Sequence, residues 1–299
     1  MAVGSALLDA ALSGGARRLF VVGTGKNVGK TVAMRAIAAA AYDRGLKVAL
    51  TSSGRDGEAI DAAGDHAKPR LFLRDGTMLA TARGLVPPHP AAEVLDCTAW
   101  PTAAGDVTLL RVRRAGFFEL AGPASAAAMR ECVHRFERWG ADLVIVDGAL
   151  DRVAPLAAGA DAIVVSAGAG ASPTPDEAVI EASALTRRLR IPQFDPNEEY
   201  VRIDGALTAA RASQLAAAKE RRQIVVRDAT HLVASGRTLL GILDRLDVRC
   251  VKPLNVIAVT AASIGPDRYF EPAAFSHALA QATALPVYDV YAQTQVRAA

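Results

Sequence analysis

The sequence predicts an α/β protein built on a mainly parallel central sheet, and three features predict it. Apolar runs of strand length alternate with helical segments along most of the chain. The stretch Gly23 to Thr31 places three glycines at the junction of a strand and a helix. The run Asp142 to Val146 is almost wholly apolar, as suits a central parallel strand covered on both faces.

Ser5 to Leu12 reads as a short helix that stops at Ser13-Gly14-Gly15, and Arg18 to Val22 as a buried strand. After the glycine loop, a helix is predicted from Lys30 to about Arg44 with Gly45 as its C-terminal cap. Leu46 to Thr51 is the second strand. Residues 65–122 read as a partly antiparallel insertion at one end of the sheet. Within it, Arg70–Leu73 and Thr77–Thr81 flank the turn pair Asp75-Gly76 and predict one hairpin. Val107–Val112 and Phe117–Leu120 flank Arg114-Ala115-Gly116 and predict another, with Pro87-Pro88-His89-Pro90 as a loop between the two. The rhythm resumes with a helix over Ala124–Trp139, stopped by Gly140, then strands at Asp142–Val146 and Ala162–Ser166 and a helix from about Pro175 to Arg190. Beyond Ile191-Pro192 the signals weaken, although 209–222, 224–227, 238–246, 255–260, 273–282 and 287–290 keep alternating. The expected organisation is a nucleotide-binding core over 1–195, carrying the insertion at 65–122, and an α/β extension over 196–299 that can continue the core sheet.

Composition narrows the partners. Hydrophobic residues make up 51% and charged residues 22% of the 299, which excludes wholesale disorder. Thirty-four basic against 31 acidic residues leave a net charge of +3, too balanced to imply a nucleic-acid partner. Cys97, Cys132 and Cys250 are odd in number, far apart and without a CxxC pair, so buried thiols in a reducing compartment are expected rather than a disulfide framework. Met1 to Leu19 lacks the basic start and long apolar centre of an export signal, and no run reaches the ~18 apolar residues of a spanning helix. The expectation is a cytoplasmic protein with no membrane partner. Trp100, Trp139 and the Phe117-Phe118 pair are expected in cores.

The chemistry begins in the glycine loop. Gly23, Gly25 and Gly29 let backbone amides approach an anion, and the N–H groups of Asn27 to Thr31 converge at the positive end of the following helix. Gly25, Lys26, Asn27, Val28, Gly29, Lys30, Thr31 and Val32 are the candidate nucleotide-contacting residues. Lys30 is placed to reach the β- and γ-phosphates and the Thr31 hydroxyl to ligate Mg²⁺. Against the strict P-loop spacing, the glycine expected five residues before Gly29 is Thr24, with Gly23 one position further out. Asp147, at the end of a buried strand, is the candidate metal-side carboxylate, with Asp151 second. Ser52 to Glu58 follows the second strand, where loops of an open α/β sheet line the ligand crevice. There Asp56 is a candidate catalytic residue, for metal binding or for activating a nucleophile, and Arg55 can face phosphate or an acidic substrate. Ser166 to Ser172 reaches the crevice edge by the same logic, its glycines meaning either close approach to a ligand or flexibility, with flexibility preferred.

Gly23-Thr24-x-x-x-Val28-Gly29-Lys30-Thr31 resembles the loop of dethiobiotin synthetase, and more widely that of cobyrinic acid a,c-diamide synthase and the MinD/ParA-type ATPases, P-loop NTPases of the SIMIBI kind. Many members carry a second lysine early in the loop that contacts phosphate, sometimes across a dimer. Lys26 is the matching residue, one position later than is usual in MinD/ParA proteins, and with Lys30 it is a candidate catalytic cation. Asp147-Gly148 is similar to the strand-end acid-glycine motif of the synthetases, where Glu is more common. The Lys-Pro-Val segment typical of dethiobiotin synthetases near 52–58 is missing, and no cysteine sits in a glutaminase nucleophile setting. The resemblance covers roughly residues 17–190. It implies ATP, Mg²⁺, a homodimer and a synthetase-like enzyme that activates a small carboxylate or carbamate by phosphoryl transfer. Its other branch implies an ATPase switch that loads, repairs or positions a partner enzyme or cofactor. The guanine-reading Asn-Lys-x-Asp and Thr-Lys-x-Asp segments are both absent, which favours ATP over GTP.

Overall fold

The computed structural model describes residues 2–52, 70–87, 91–148 and 161–291, and the backbone of 295–296. It has a mainly parallel sheet flanked by helices, with antiparallel pairs. Two compact units divide it. One takes the chain up to Val21 and again from Lys30 through the strand that ends at Asp147; the other takes Val22–Gly29 and the chain from Ala162 onward.

In the first unit, helix α1 (Val3–Ser13) precedes strand β1 (Arg18–Gly23), and helix α2 (Lys30–Asp43) leads to β2 (Val48–Ser52). The insertion supplies β3 (Leu71–Leu73), β4 (Met78–Ala82), β5 (Ala92–Cys97), β6 (Val107–Val112) and β7 (Gly116–Phe118). Helix α3 (Ala126–Arg138) and β8 (Leu143–Asp147) complete the unit. The sheet runs β1-β8-β2-β4-β6-β5, parallel from β1 to β4 and antiparallel beyond. Leu143 to Val146 are fully buried, as an almost wholly apolar strand flanked on both edges requires. Helix α3 starts where the Ser125 hydroxyl accepts the Ala128 amide at 3.2 Å, and it buries Met129, Cys132, Val133 and Phe136, one face at helical spacing. Its Glu137 takes a bidentate bond from Arg18 at the start of β1, 2.6 and 2.9 Å, which holds the carboxyl below the usual range.

The hairpins of the insertion differ from the expectation. Asp75-Gly76 does form the turn between β3 and β4, with Gly76 at φ +81°, yet the two strands are not partners. Instead β4 pairs with β6 and β3 with β7, one pair nested inside the other (Leu79↔Leu110; Phe72↔Phe117). Burial gives the reason. Every residue of β4, which lies inside the sheet between β2 and β6, is buried, so both its faces are covered, whereas β3 alternates buried and exposed and has only one face covered. The same alternation corrects Phe117, which is 63% exposed beside a buried Phe118, and which meets Phe72 edge-on at 5.5 Å. Trp139 packs edge-on against Phe136 and Trp100 lies under the Arg135 guanidinium, both half-buried. Pro88 to Pro90 lie outside the described residues.

In the second unit, β9 (Ala162–Gly168), β15 (Asn255–Ala262) and β16 (Val287–Asp289) are parallel neighbours, with β17 (Gln295–Val296) antiparallel on β16. Helix α4 (Pro175–Leu189) follows β9, and α7 (Pro272–Thr283) joins β15 to β16. Between α4 and β15 the chain builds a small parallel sheet of β10 (Tyr200–Arg202), β12 (Gln223–Val226) and β14 (Val248–Cys250). Helices α5 (Ala209–Ala217) and α6 (Gly236–Leu243) and the short pair β11 (Leu207–Thr208) and β13 (Leu232–Val233) accompany it. Ile203, Leu207, Ile224, Val226, Leu232, Leu239 and Val248 form its core.

Of the three cysteines, Cys132 and Cys250 are buried and Cys97, on the edge strand β5, is exposed, which corrects the expectation for that residue. Burial pushes the Cys132 thiol up to about 12 and the Cys250 thiol up to about 11. Iodoacetamide at pH 8 is therefore expected to modify Cys97 alone in the native protein and all three in denaturant, read by intact mass. The neutral thiols favour the fold below their ordinary value of 9.0, and that support fades as pH rises toward the raised values.

Candidate functional site

Strand β1, with Leu19 to Val22 fully buried, delivers the chain to the glycine loop, and α2 leaves it at Lys30. Asn27 stands at φ +56° and Gly29 at φ +83°, with Val28 between them on the ordinary side. Such alternation turns successive N–H groups to one side, the concave nest that holds anions. Asparagine is among the few non-glycine residues that tolerate this backbone, a signal readable in the sequence. Val28 is 1% exposed and pins the loop inward, while Lys26 and Asn27 are exposed. The Thr24 amide donates to the Ser166 carbonyl at the end of β9, 3.0 Å. A Cβ on Gly29 would lie 2.9 Å from the Ala262 methyl and 3.1 Å from Val290 Cγ2, so the loop sits directly on the ends of β15 and β16. These supports come from residues far along the chain, and no local pattern in the sequence announces them.

In the first unit, Lys30, Thr31 and Val32 are half-buried at the head of α2. Burial lowers the Lys30 ammonium below the ordinary lysine value, and the negative charge of Asp147 partly restores it. Asp147 is half-buried at the last position of β8, in register with Val21 of β1 and with Ser52 of β2. Gly148 donates back to the Val21 carbonyl at 3.2 Å, which fixes the turn after the aspartate. The structure thus brings Lys30 and Asp147 within each other's field, while Lys26 is exposed. Arg55, Asp56 and Asp151 lie outside the described residues.

In the second unit the nest offers N–H donors to an anion, and in the first the half-buried Lys30 ammonium offers positive charge. Among the described residues, no three His, Cys, Asp or Glu side chains gather to hold a metal by themselves. One hydroxyl and one carboxylate, Thr31 and Asp147, are what Mg²⁺ asks of a protein when phosphates and water supply its other ligands. No described helix is long and apolar enough to cross a membrane.

No family model matches the chain. The chain is 31% identical over 152 residues to the ATP-dependent dethiobiotin synthetase of Streptomyces coelicolor (strain ATCC BAA-471 / A3(2) / M145), a match covering 51% of this chain. It spans 60% of that relative's length. A crystal structure of the signal recognition particle receptor FtsY from Elizabethkingia anophelis aligns over 93% of this chain and 71% of its own, at 14% identity. The TM-score of that alignment is 0.27. A glycine loop set between a buried strand and a helix of a mainly parallel sheet is the arrangement of a P-loop NTPase fold, and over half of its length the chain is similar in sequence to that synthetase.

Proposed function

We propose that the chain binds ATP with Mg²⁺ and acts as a synthetase-like enzyme that activates a small carboxylate or carbamate by phosphoryl transfer. The observation that carries this reading is the half-buried Lys30 at the first position of the helix after the loop, desolvated and within the field of Asp147. A partly desolvated cation interacts with phosphate more strongly than a hydrated one. The amides of Gly25 to Val32 hold the phosphates, and Lys30 draws charge from the transferred group. Thr31 and Asp147 hold Mg²⁺, which supplies charge neutralisation at the phosphates when bound. Lys26 and Asp56 are proposed as the second cation and the residue that orients or activates the acceptor. Similarity to an ATP-dependent synthetase supports the nucleotide and the reaction class. A cytoplasmic homodimer belongs to the same proposal, and sedimentation of the purified protein tests the dimer.

The experiment is phosphate release by the purified protein alone. A synthetase is expected to hydrolyse ATP slowly and to be stimulated by one member of a panel of small carboxylates and amines. Turnover that ignores the whole panel and rises only with a protein partner overturns the synthetase reading in favour of the ATPase switch. Absence of ATP binding overturns both.

A further inference from the structure

In the loop after β9, Gly170 is where the backbone comes closest to the phosphate loop. A Cβ on Gly170 would overlap the Asn27 carbonyl oxygen and come within 2.7 Å of the Asn27 Cβ, so the backbone of this second loop lies flat against the apex of the phosphate loop. A Cβ on Gly25 would stand 2.6 Å from the Ala171 methyl, a second contact one residue further along. The Thr24 amide bond to Ser166 makes a third. The loop after β9 is in turn backed by the turn after β15. There a Cβ on Gly265 would lie 2.8 Å from the Ala169 carbonyl carbon and 2.8 Å from the Gly170 nitrogen. That turn is closed by its own bonds, Gly265 N–H to Arg268 O and Phe270 N–H to Ser263 O, both 2.8 Å. Three backbone layers are therefore closely stacked, all within the second unit.

Asn27 is the residue whose left-handed backbone sets the nest, and it is also the residue on which Gly170 rests. A left-handed non-glycine residue costs about 1 kcal/mol in isolation and persists where its surroundings fix it. We infer that Gly170 and Gly265 are positioning residues for the phosphate loop: they hold the Asn27 backbone in its nest conformation, so the loops after β9 and β15 set phosphate affinity without touching phosphate. The inference rests on the nucleotide-binding reading for its effect on affinity. The contact itself is testable without any nucleotide.

The test uses the full chain with Gly170→Ala, Gly265→Ala and Ala171→Gly. Gly116→Ala serves as control, a position where an added methyl meets only ordinary contacts at 3.8 Å. Hydrogen exchange of the peptide covering 22–30, without nucleotide, is expected to speed up about tenfold or more in the two glycine variants and several-fold in Ala171→Gly, and to stay unchanged in the control. Affinity by calorimetry is expected to fall about tenfold for ATP, less for ADP and least for AMP. A merely destabilised fold would not grade with phosphate number. Ala171→Gly loosens the stack rather than overfilling it, so it stays informative if Gly170→Ala does not fold. Unchanged exchange over 22–30 in the variants overturns the brace even if the wild type binds ATP. Accelerated exchange in a protein that binds no nucleotide upholds the contact and instead overturns the reading of the loop as a nucleotide site.

Discussion

Lys30→Ala is expected to weaken ATP binding at least ~100-fold and to abolish the rise in melting temperature that ATP gives the wild type. Removing one partner of a desolvated, charge-assisted contact costs about 2–5 kcal/mol, because the phosphate is left facing a half-buried site without its cation. Lys26, being exposed, is expected to matter less, and Lys26→Ala should lower affinity only several-fold. The pH dependence follows from the lowered Lys30. In the free protein this ammonium gives up its proton below the ordinary lysine value of 10.5. A bound polyphosphate favours the charged form and pushes the value back up. ATP affinity should therefore decline as pH rises through the lowered value, and binding in that range should take up a proton, which calorimetry in two buffers of different ionisation enthalpy measures. If both lysine variants bind ATP like the wild type, the loop is not the nucleotide site.

Asp147→Asn carries the second large effect. The amide keeps the size and loses the charge, so the expected loss is specific to the metal-bound nucleotide. Affinity for ATP with Mg²⁺ should fall about 10- to 100-fold, while affinity in excess EDTA should change little. The substitution also removes the charge that supports the Lys30 ammonium, so the lysine should titrate at a still lower pH than in the wild type. An Asp147→Asn protein that binds Mg-ATP with wild-type affinity would sink the assignment of the metal side.

What the sequence revealed follows from how local each feature is. The glycine loop, the buried strand before it and the helix after it are consecutive, so their signals reinforce one another. The place of Asp147 at the end of β8 is legible because the apolar run Leu143–Val146 marks the strand, and an acid that ends such a run is costly to desolvate unless a cation or a donor meets it there. The strand pairing of the insertion differs from the expected hairpins because turn pairs such as Asp75-Gly76 report a bend and say nothing of the strand's partner. Strand β5 escaped notice because its residues are all half-buried or exposed, which erases the alternation that marks a strand. The bracing of the loop by Gly170, Ala171, Ala262 and Val290 joins residues more than a hundred positions apart, and no pattern within a single sequence reports such a contact.

The nesting of β3–β7 around β4–β6 has a consequence for the order of folding. The chain between β3 and β7 is long, and joining its ends directly forfeits more loop entropy than joining them after β4 and β6 have already zipped together. The inner pair is thus the natural nucleus of this region and the outer ribbon its late clasp. Trimming Leu109 or Leu110 should slow refolding, whereas trimming the aromatic pair Phe72 and Phe117 should mainly hasten unfolding.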